Sequence, residues 1–132
     1  MNEANKLICD RLGLPEPGPF SQDWEYELPK TFRTTEWVEK YITYYLENSC
    51  SMGEKEIMMT LLLDIANGYE KASINELQVK RIFDLLIKNH KIHWDLIEYW
   101  TVEESSLEDA FAITPKIRAL KLRLESEMQK KK

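Results

Sequence analysis

The chain has 132 residues, 43% of them hydrophobic and 31% charged, and its formal net charge is −5. This length fits one domain of ordinary size, whose core needs neither disulfides nor a structural metal. Its two cysteines, Cys9 and Cys50, lie far apart in the sequence, so the composition argues against a small disulfide-rich secreted protein.

The N-terminal residues carry no basic stretch followed by a long apolar run, and they predict no secretory signal. The densest apolar stretch, 57–66, is interrupted by Thr60 and Asp64 and is too short to span a bilayer. We therefore expect a cytoplasmic protein that makes no use of a membrane.

The first part of the chain predicts a short helix followed by a proline-rich loop. Apolar residues at helical spacing indicate a helix over 3–12, and Gly13 is placed to end it. Four prolines exclude a continuous helix over 13–33. The same segment contains large apolar residues such as Phe20 and Phe32, which disordered segments usually lack, so we expect an ordered loop.

Within this loop, acidic and aromatic residues alternate from Asp23 through Trp24, Glu25 and Tyr26 to Glu27. A period of two is typical of an extended segment, with the aromatic rings on one side and the carboxylates on the other. Trp and Tyr are common in binding hot spots, and clustered carboxylates attract a basic partner. We predict that these five residues bind a partner; the alternative is a packing segment that covers the core.

The middle of the chain predicts two helices in succession. Thr34 or Thr35 is placed to cap a helix that extends to about Asn48, with aromatic residues recurring every fourth position. Ser51 and Glu54 have the spacing of a capping box, in which each side chain bonds the other residue's backbone N–H. The long apolar stripe that follows indicates a central core helix.

Two further helices are predicted before residue 102. Ser73 and Glu76 repeat the capping-box spacing at the start of a helix that extends to about Lys88. Asn89 is placed to cap a shorter helix over 91–101. With the C-terminal helix, this pattern predicts an all-α fold, a compact bundle of about five helices forming a single domain over 1–132.

The C-terminal helix is basic. Proline at a first helical position loses no hydrogen bond, so Thr114 followed by Pro115 predicts a helix over 115–129. Residues 115–132 carry seven basic and two acidic side chains, a net charge of +5, and the rest of the chain carries −10. The acidic remainder disfavours nucleic acid as a partner, and a polar outer face of the helix is the simpler interpretation.

No pattern in the sequence indicates catalysis or a cofactor. His90 and His93 share one helix face at a spacing of three residues, but a metal site needs at least one further ligand. Cys50 lies near a predicted helix start, which lowers the pKa of a thiol, yet no histidine is placed to assist it. Pairs of acidic residues fall at helix starts, where the helix dipole explains them.

These observations predict a non-enzymatic protein-binding module without metal or cofactor: an inhibitor, an immunity-type antidote or an adaptor, either monomeric or homodimeric. Its partner is a protein, and we expect a basic one. Two alternatives stay open. One is a metal-binding or enzymatic helical domain that uses His90 and His93. The other is weak nucleic-acid binding through the basic C-terminal helix.

Overall fold

The fold is described from a computed structural model over residues 3–15, 28–102 and 110–130. Within these ranges the chain forms six α-helices and one short 3-10 helix, with no strand, which confirms the all-α prediction. The helix count exceeds the predicted number of about five by one. The compact bundle arrangement stays a prediction.

In chain order, the α-helices are α1 (Glu3–Leu12), α2 (Thr35–Leu46), α3 (Met52–Ala72), α4 (Glu76–Lys88), α5 (Trp94–Thr101) and α6 (Thr114–Lys130), and the 3-10 helix is Lys30–Phe32. No helix in the described part of the chain is both long and apolar enough to cross a membrane.

The chain divides into two compact units, Met1–Ile65 and Ala66–Lys132, and α3 runs without interruption from the first into the second. The first unit contains twelve acidic and six basic residues, a net charge of −6, whereas the second carries +1 from eleven acidic and twelve basic residues. The acidity of the sequence is therefore concentrated in the first unit. The single-domain prediction is not tested by this division.

Local signals explain how the helices of the first unit begin and end. Thr34 accepts a hydrogen bond from the Trp37 N–H at 3.4 Å and caps α2, as predicted. Gly13 has a φ of +70°, and the N–H beyond it bonds the Cys9 carbonyl at 3.0 Å, which is the C-terminal closure of a Schellman motif. The apolar faces of α2 and α3 that follow these caps supply the buried core of the unit.

In the second unit, buried side chains of α4, α5 and α6 form the core, with Trp100 1% exposed. The start of α6 is held by polar contacts. The buried hydroxyl of Thr114 donates to the Trp100 carbonyl at 2.9 Å and accepts from the Phe111 N–H at 3.1 Å. Asn67 on α3 accepts from the Ile113 N–H at 3.2 Å.

Two predicted helix starts are wrong. Ser73 does not cap α4; it has a φ of 56°, and the Ser73 and Ile74 N–H groups bond carbonyls in the last turn of α3, in a Schellman motif. Asn89 does not cap α5; its side chain donates to the Leu85 carbonyl at 2.9 Å and closes α4. In both cases the polar residue satisfies the end of the preceding helix, and α5 begins only at Trp94.

Candidate protein-binding surface

The predicted binding residues Asp23, Trp24, Glu25, Tyr26 and Glu27 lie outside the described residues. Leu28, the next described residue, has a buried side chain. Its carbonyl accepts a 2.7 Å hydrogen bond from Nε of Arg33, and the Arg33 guanidinium lies 2.6 Å from a carboxylate oxygen of Asp64 on α3.

The Arg33–Asp64 pair is partly buried, since the two side chains are 17% and 22% exposed. A charged pair sheltered from solvent is screened less by salt than an exposed one. The backbone that follows the predicted binding segment is therefore fixed to α3 at a defined point.

Next to this anchor lies an aromatic group made of Phe32, Trp37 and Tyr41. The Tyr41 hydroxyl donates to the Phe32 carbonyl at 2.6 Å, which ties the 3-10 helix to α2. Phe32 and Trp37 meet edge to face with centroids 5.2 Å apart, and Trp37 and Tyr41 lie 5.6 Å apart. Tyr41 is buried, whereas Phe32 and Trp37 are partly exposed. The aromatic group thus presents ordered ring surface to solvent.

One charged residue of α2 contacts this group, and two others lie near Trp37 in the sequence. The Lys40 ammonium lies over the Trp37 ring, 4.3 Å from its centroid, in cation–π geometry. Glu36 is exposed and Glu39 is partly exposed on the same helix. The partly exposed ring of Trp37 therefore already binds a cation of its own helix.

A cleft of about 510 Å³ continues the surface from Lys40 towards α1. Its walls combine two cations, two carboxylates, two hydroxyl groups and one aliphatic side chain. The lining residues are Arg11, Leu12, Glu39, Lys40, Thr43, Tyr44 and Glu47. Most of these residues are polar or charged, but the surface that they present to the cleft is mainly apolar. A mainly apolar surface bordered by charged groups is also the composition of protein-binding surfaces.

A polar network centred on the buried Glu54 lies behind the cleft and connects two of its lining residues. Glu54 on α3 is 2% exposed and accepts a hydrogen bond from the Tyr44 hydroxyl. Ser51 and Glu54 form the predicted capping box, with the Glu54 N–H 3.2 Å from Ser51 Oγ and the Ser51 N–H 3.5 Å from Glu54 Oε1. Arg11 on α1 approaches the same carboxylate at 3.8 Å. The carboxylate thus links three helices.

Burial and the hydrogen bond to Glu54 keep the Tyr44 hydroxyl protonated near neutral pH. Burial, and then the hydrogen bond to Glu54, raise the pKa of the Tyr44 hydroxyl far above its usual value of 10.0. The hydrogen bond with Tyr44 raises the pKa of Arg11. The Arg11 guanidinium lowers the pKa of Tyr44 by less than burial and Glu54 raise it, so the phenol keeps its proton at pH 7 and serves to position its neighbours.

Cys50 is not the activated thiol that its place before a helix suggested. Its side chain is buried, and burial is the largest of the effects that raise its pKa, from 9.0 to about 11, followed by the charge of Glu54. The helix N-terminus does not compensate for this desolvation. The thiol is therefore protonated, and unreactive as a nucleophile, at neutral pH.

This burial predicts alkaline destabilisation. Between about pH 9 and pH 11 the unfolded chain releases the Cys50 proton while the folded chain retains it. The contribution to stability is complete below pH 9 and is lost as the pH rises to 11, by at most about 3 kcal/mol. Urea denaturation across this pH range is expected to show the decline, with a flatter profile for Cys50→Ala. Parallel profiles for the two proteins contradict the assignment.

The two histidines do not form a metal centre in the described part of the chain. Nδ1 of His90 lies 2.8 Å from the Ile87 carbonyl at the end of α4, and His93 is buried at the start of α5. Over residues 3–15, 28–102 and 110–130, no three potential metal ligands come together. The metal alternative finds no support in these ranges.

Several cations of the C-terminal helix contact their own chain. Lys116 forms a 2.7 Å ion pair with Glu70, and Arg123 lies 3.4 Å from Glu127. Arg118 donates to two backbone carbonyls at the end of α5. These contacts fit the interpretation of α6 as a polar outer helix better than a nucleic-acid interface.

Sequence reasoning missed Arg11 and Thr43 as parts of this surface. Both line the cleft because α1 lies beside α2, and no local spacing in the sequence predicts that contact. Comparison with known proteins adds no guide to the site: no family model matches the chain, and neither curated proteins nor solved structures gave a match.

Proposed function

We propose that this protein is a small cytoplasmic protein-binding module, an inhibitor, an immunity-type antidote or an adaptor, which recognises a basic protein through the acidic aromatic segment 23–27 and the adjoining surface of α2. The observation that carries the proposal is the anchored aromatic group. Phe32 and Trp37 follow that segment in the sequence and are partly exposed, in the compact unit that holds a net charge of −6.

Two physical arguments support this function. Aromatic side chains that are ordered before binding contribute contact area at a small entropic cost, and the Arg33 and Tyr41 hydrogen bonds supply that order here. A net negative field accelerates association with a basic partner and disfavours partners of the same sign.

The test is capture of the partner by the tagged protein from lysate of its source cells, quantified by mass spectrometry. We expect one basic protein in stoichiometric amount, released as the salt concentration rises. The double variant Trp24→Ala, Glu25→Lys is expected to reduce its capture by about tenfold or more, because it removes a hot-spot ring and reverses a charge. Thermal unfolding is expected to stay nearly unchanged.

Asp84→Lys is the matched control, since it makes the same charge change at an exposed position of α4 in the second unit. It is expected to retain capture. Equal capture by the double variant and the wild type contradicts the proposal. A loss of several kcal/mol of stability in the double variant also contradicts it, because the segment is then part of the core.

A further inference from the structure

The contact between Lys40 and Trp37 shows how the Trp37 ring binds a cation. The ammonium of Lys40 lies 4.3 Å from the centroid of the Trp37 ring, and that ring is held in place by edge-to-face contact with Phe32. Cation–π attraction is strongest for Trp among the aromatic residues and acts on guanidinium and ammonium groups alike. In the free protein, Lys40 therefore occupies the cation-binding face of the Trp37 ring.

We propose that the exposed face of Trp37 is a binding site for an arginine or lysine side chain of the partner, and that Lys40 is its built-in competitor. This inference rests on the proposed function, because it names the contact that the basic partner makes. Lys40 holds the ring with one cation in the free protein, and the partner's side chain replaces it.

The surroundings favour such an exchange. Glu36 and Glu39 belong to the same helix, and the unit around it carries a net charge of −6, so an arriving cation meets a negative field as well as the π face. Lys40 also lines the neighbouring cleft, together with Glu39 and Glu47. Its flexible stem allows the ammonium to leave the ring and stay solvated beside those carboxylates. When the partner's cation replaces it, the Lys40 ammonium therefore does not become buried without a counter-charge.

Mutations of Lys40 and of Trp37 are expected to change the affinity for a basic peptide in opposite directions. Removing the competitor with Lys40→Met is expected to tighten binding of a basic peptide by about three- to tenfold. Removing the ring with Trp37→Leu is expected to weaken it by a similar factor, and Trp37→Phe is expected to lie between wild type and Trp37→Leu, since a phenyl ring binds cations less well than an indole.

The experiment uses fluorescence anisotropy with a labelled peptide of three arginines alternating with glycine, and the full-length protein. A peptide with citrulline in place of arginine has the same shape without the charge and is expected to bind more weakly. Lys6→Met is the matched control for Lys40→Met, because Lys6 is an exposed lysine of α1 in the same unit. It is expected to change affinity less than twofold, because it alters net charge equally but leaves the ring site intact.

Three results overturn the site: equal tightening by Lys6→Met and Lys40→Met, equal affinity of wild type and both Trp37 variants, or no binding of the arginine peptide to Lys40→Met at millimolar concentration. Urea denaturation of each variant shows whether it is folded, and Trp37→Phe keeps the test decisive if Trp37→Leu is not. If the Trp37 and Lys40 variants bind the peptide as tightly as the wild type while the double variant Trp24→Ala, Glu25→Lys loses the partner, the proposed function is supported and the cation site at Trp37 is contradicted.

Discussion

Replacing Glu54 with alanine is expected to lower the free energy of unfolding by about 3–5 kcal/mol. The carboxylate is buried and accepts hydrogen bonds from Tyr44 and Ser51 while facing Arg11. Its removal leaves the Tyr44 hydroxyl without its acceptor, deletes half of the capping box and opens a cavity. Urea denaturation at pH 7, followed by circular dichroism, measures the loss.

Glu56→Ala is the matched control, because Glu56 is an exposed glutamate on the same helix, and it is expected to change stability by less than about 0.5 kcal/mol. Tyr44→Phe removes only the hydroxyl and is expected to cost about 1–2 kcal/mol. In the double variant Glu54→Ala, Tyr44→Phe, the two losses are expected to be less than additive, since the partners share one hydrogen bond. Equal losses in Glu54→Ala and Glu56→Ala contradict this account of the network.

The same network has a consequence for binding. Arg11 and Tyr44 line the cleft, and Glu54 behind them holds both side chains in place. Preorganised contact residues lose little entropy when a partner binds. A variant that keeps the fold but loosens the network, such as Glu54→Gln, therefore separates the contribution of cleft order from that of the acidic aromatic segment.

Much of the helical fold was predictable because its signals are local. Periodic apolar residues indicated the helices found within the described ranges, and Thr34 and the Ser51–Glu54 pair marked two helix starts through side chains that lie within four residues of their targets. Gly13 ended α1 as predicted, because only a residue that tolerates positive φ closes a Schellman motif without strain.

The errors at Ser73 and Asn89 share one physical cause. A polar residue between two helices is able to satisfy the carbonyls of the first or the N–H groups of the second, and spacing alone does not decide between them. At Asn89 the side-chain amide donates to the last turn of α4. At Ser73 the backbone turns left-handed to close α3, so the side chain is not placed to cap α4.

The candidate surface was only partly predictable. Segment 23–27 stood out because alternation of acidic and aromatic residues is visible in the sequence, and it stays a prediction. The stacking of Trp37 on Tyr41 follows from their spacing of four residues, but helical spacing favoured burial for both. The partial exposure of Trp37, and the contact of Arg11 with Glu54, depend on how separate helices pack, which no local pattern encodes.

Replacing Arg118 with methionine is expected to lower the free energy of unfolding by about 2–4 kcal/mol through its effect on the end of α5. The guanidinium donates to the Thr101 carbonyl at 2.7 Å and to the Val102 carbonyl at 2.6 Å. Val102 has a φ of 44°, a left-handed conformation that is costly for a β-branched residue. Two charge-assisted hydrogen bonds offset that strain, and methionine keeps the aliphatic stem of the arginine but supplies no donor.

Arg123→Met is the matched control, since it removes the same group from a site on α6 where the side chain is 67% exposed, and it is expected to cost less than about 0.5 kcal/mol. Val102→Gly tests the strain directly. This substitution alone is expected to raise the free energy of unfolding by about 1 kcal/mol, because glycine adopts positive φ without steric cost. Combined with Arg118→Met, it is expected to recover part of the stability that Arg118→Met loses. If Arg118→Met and Arg123→Met unfold at the same urea concentration, the α5 carbonyls find other donors and Arg118 does not hold this turn.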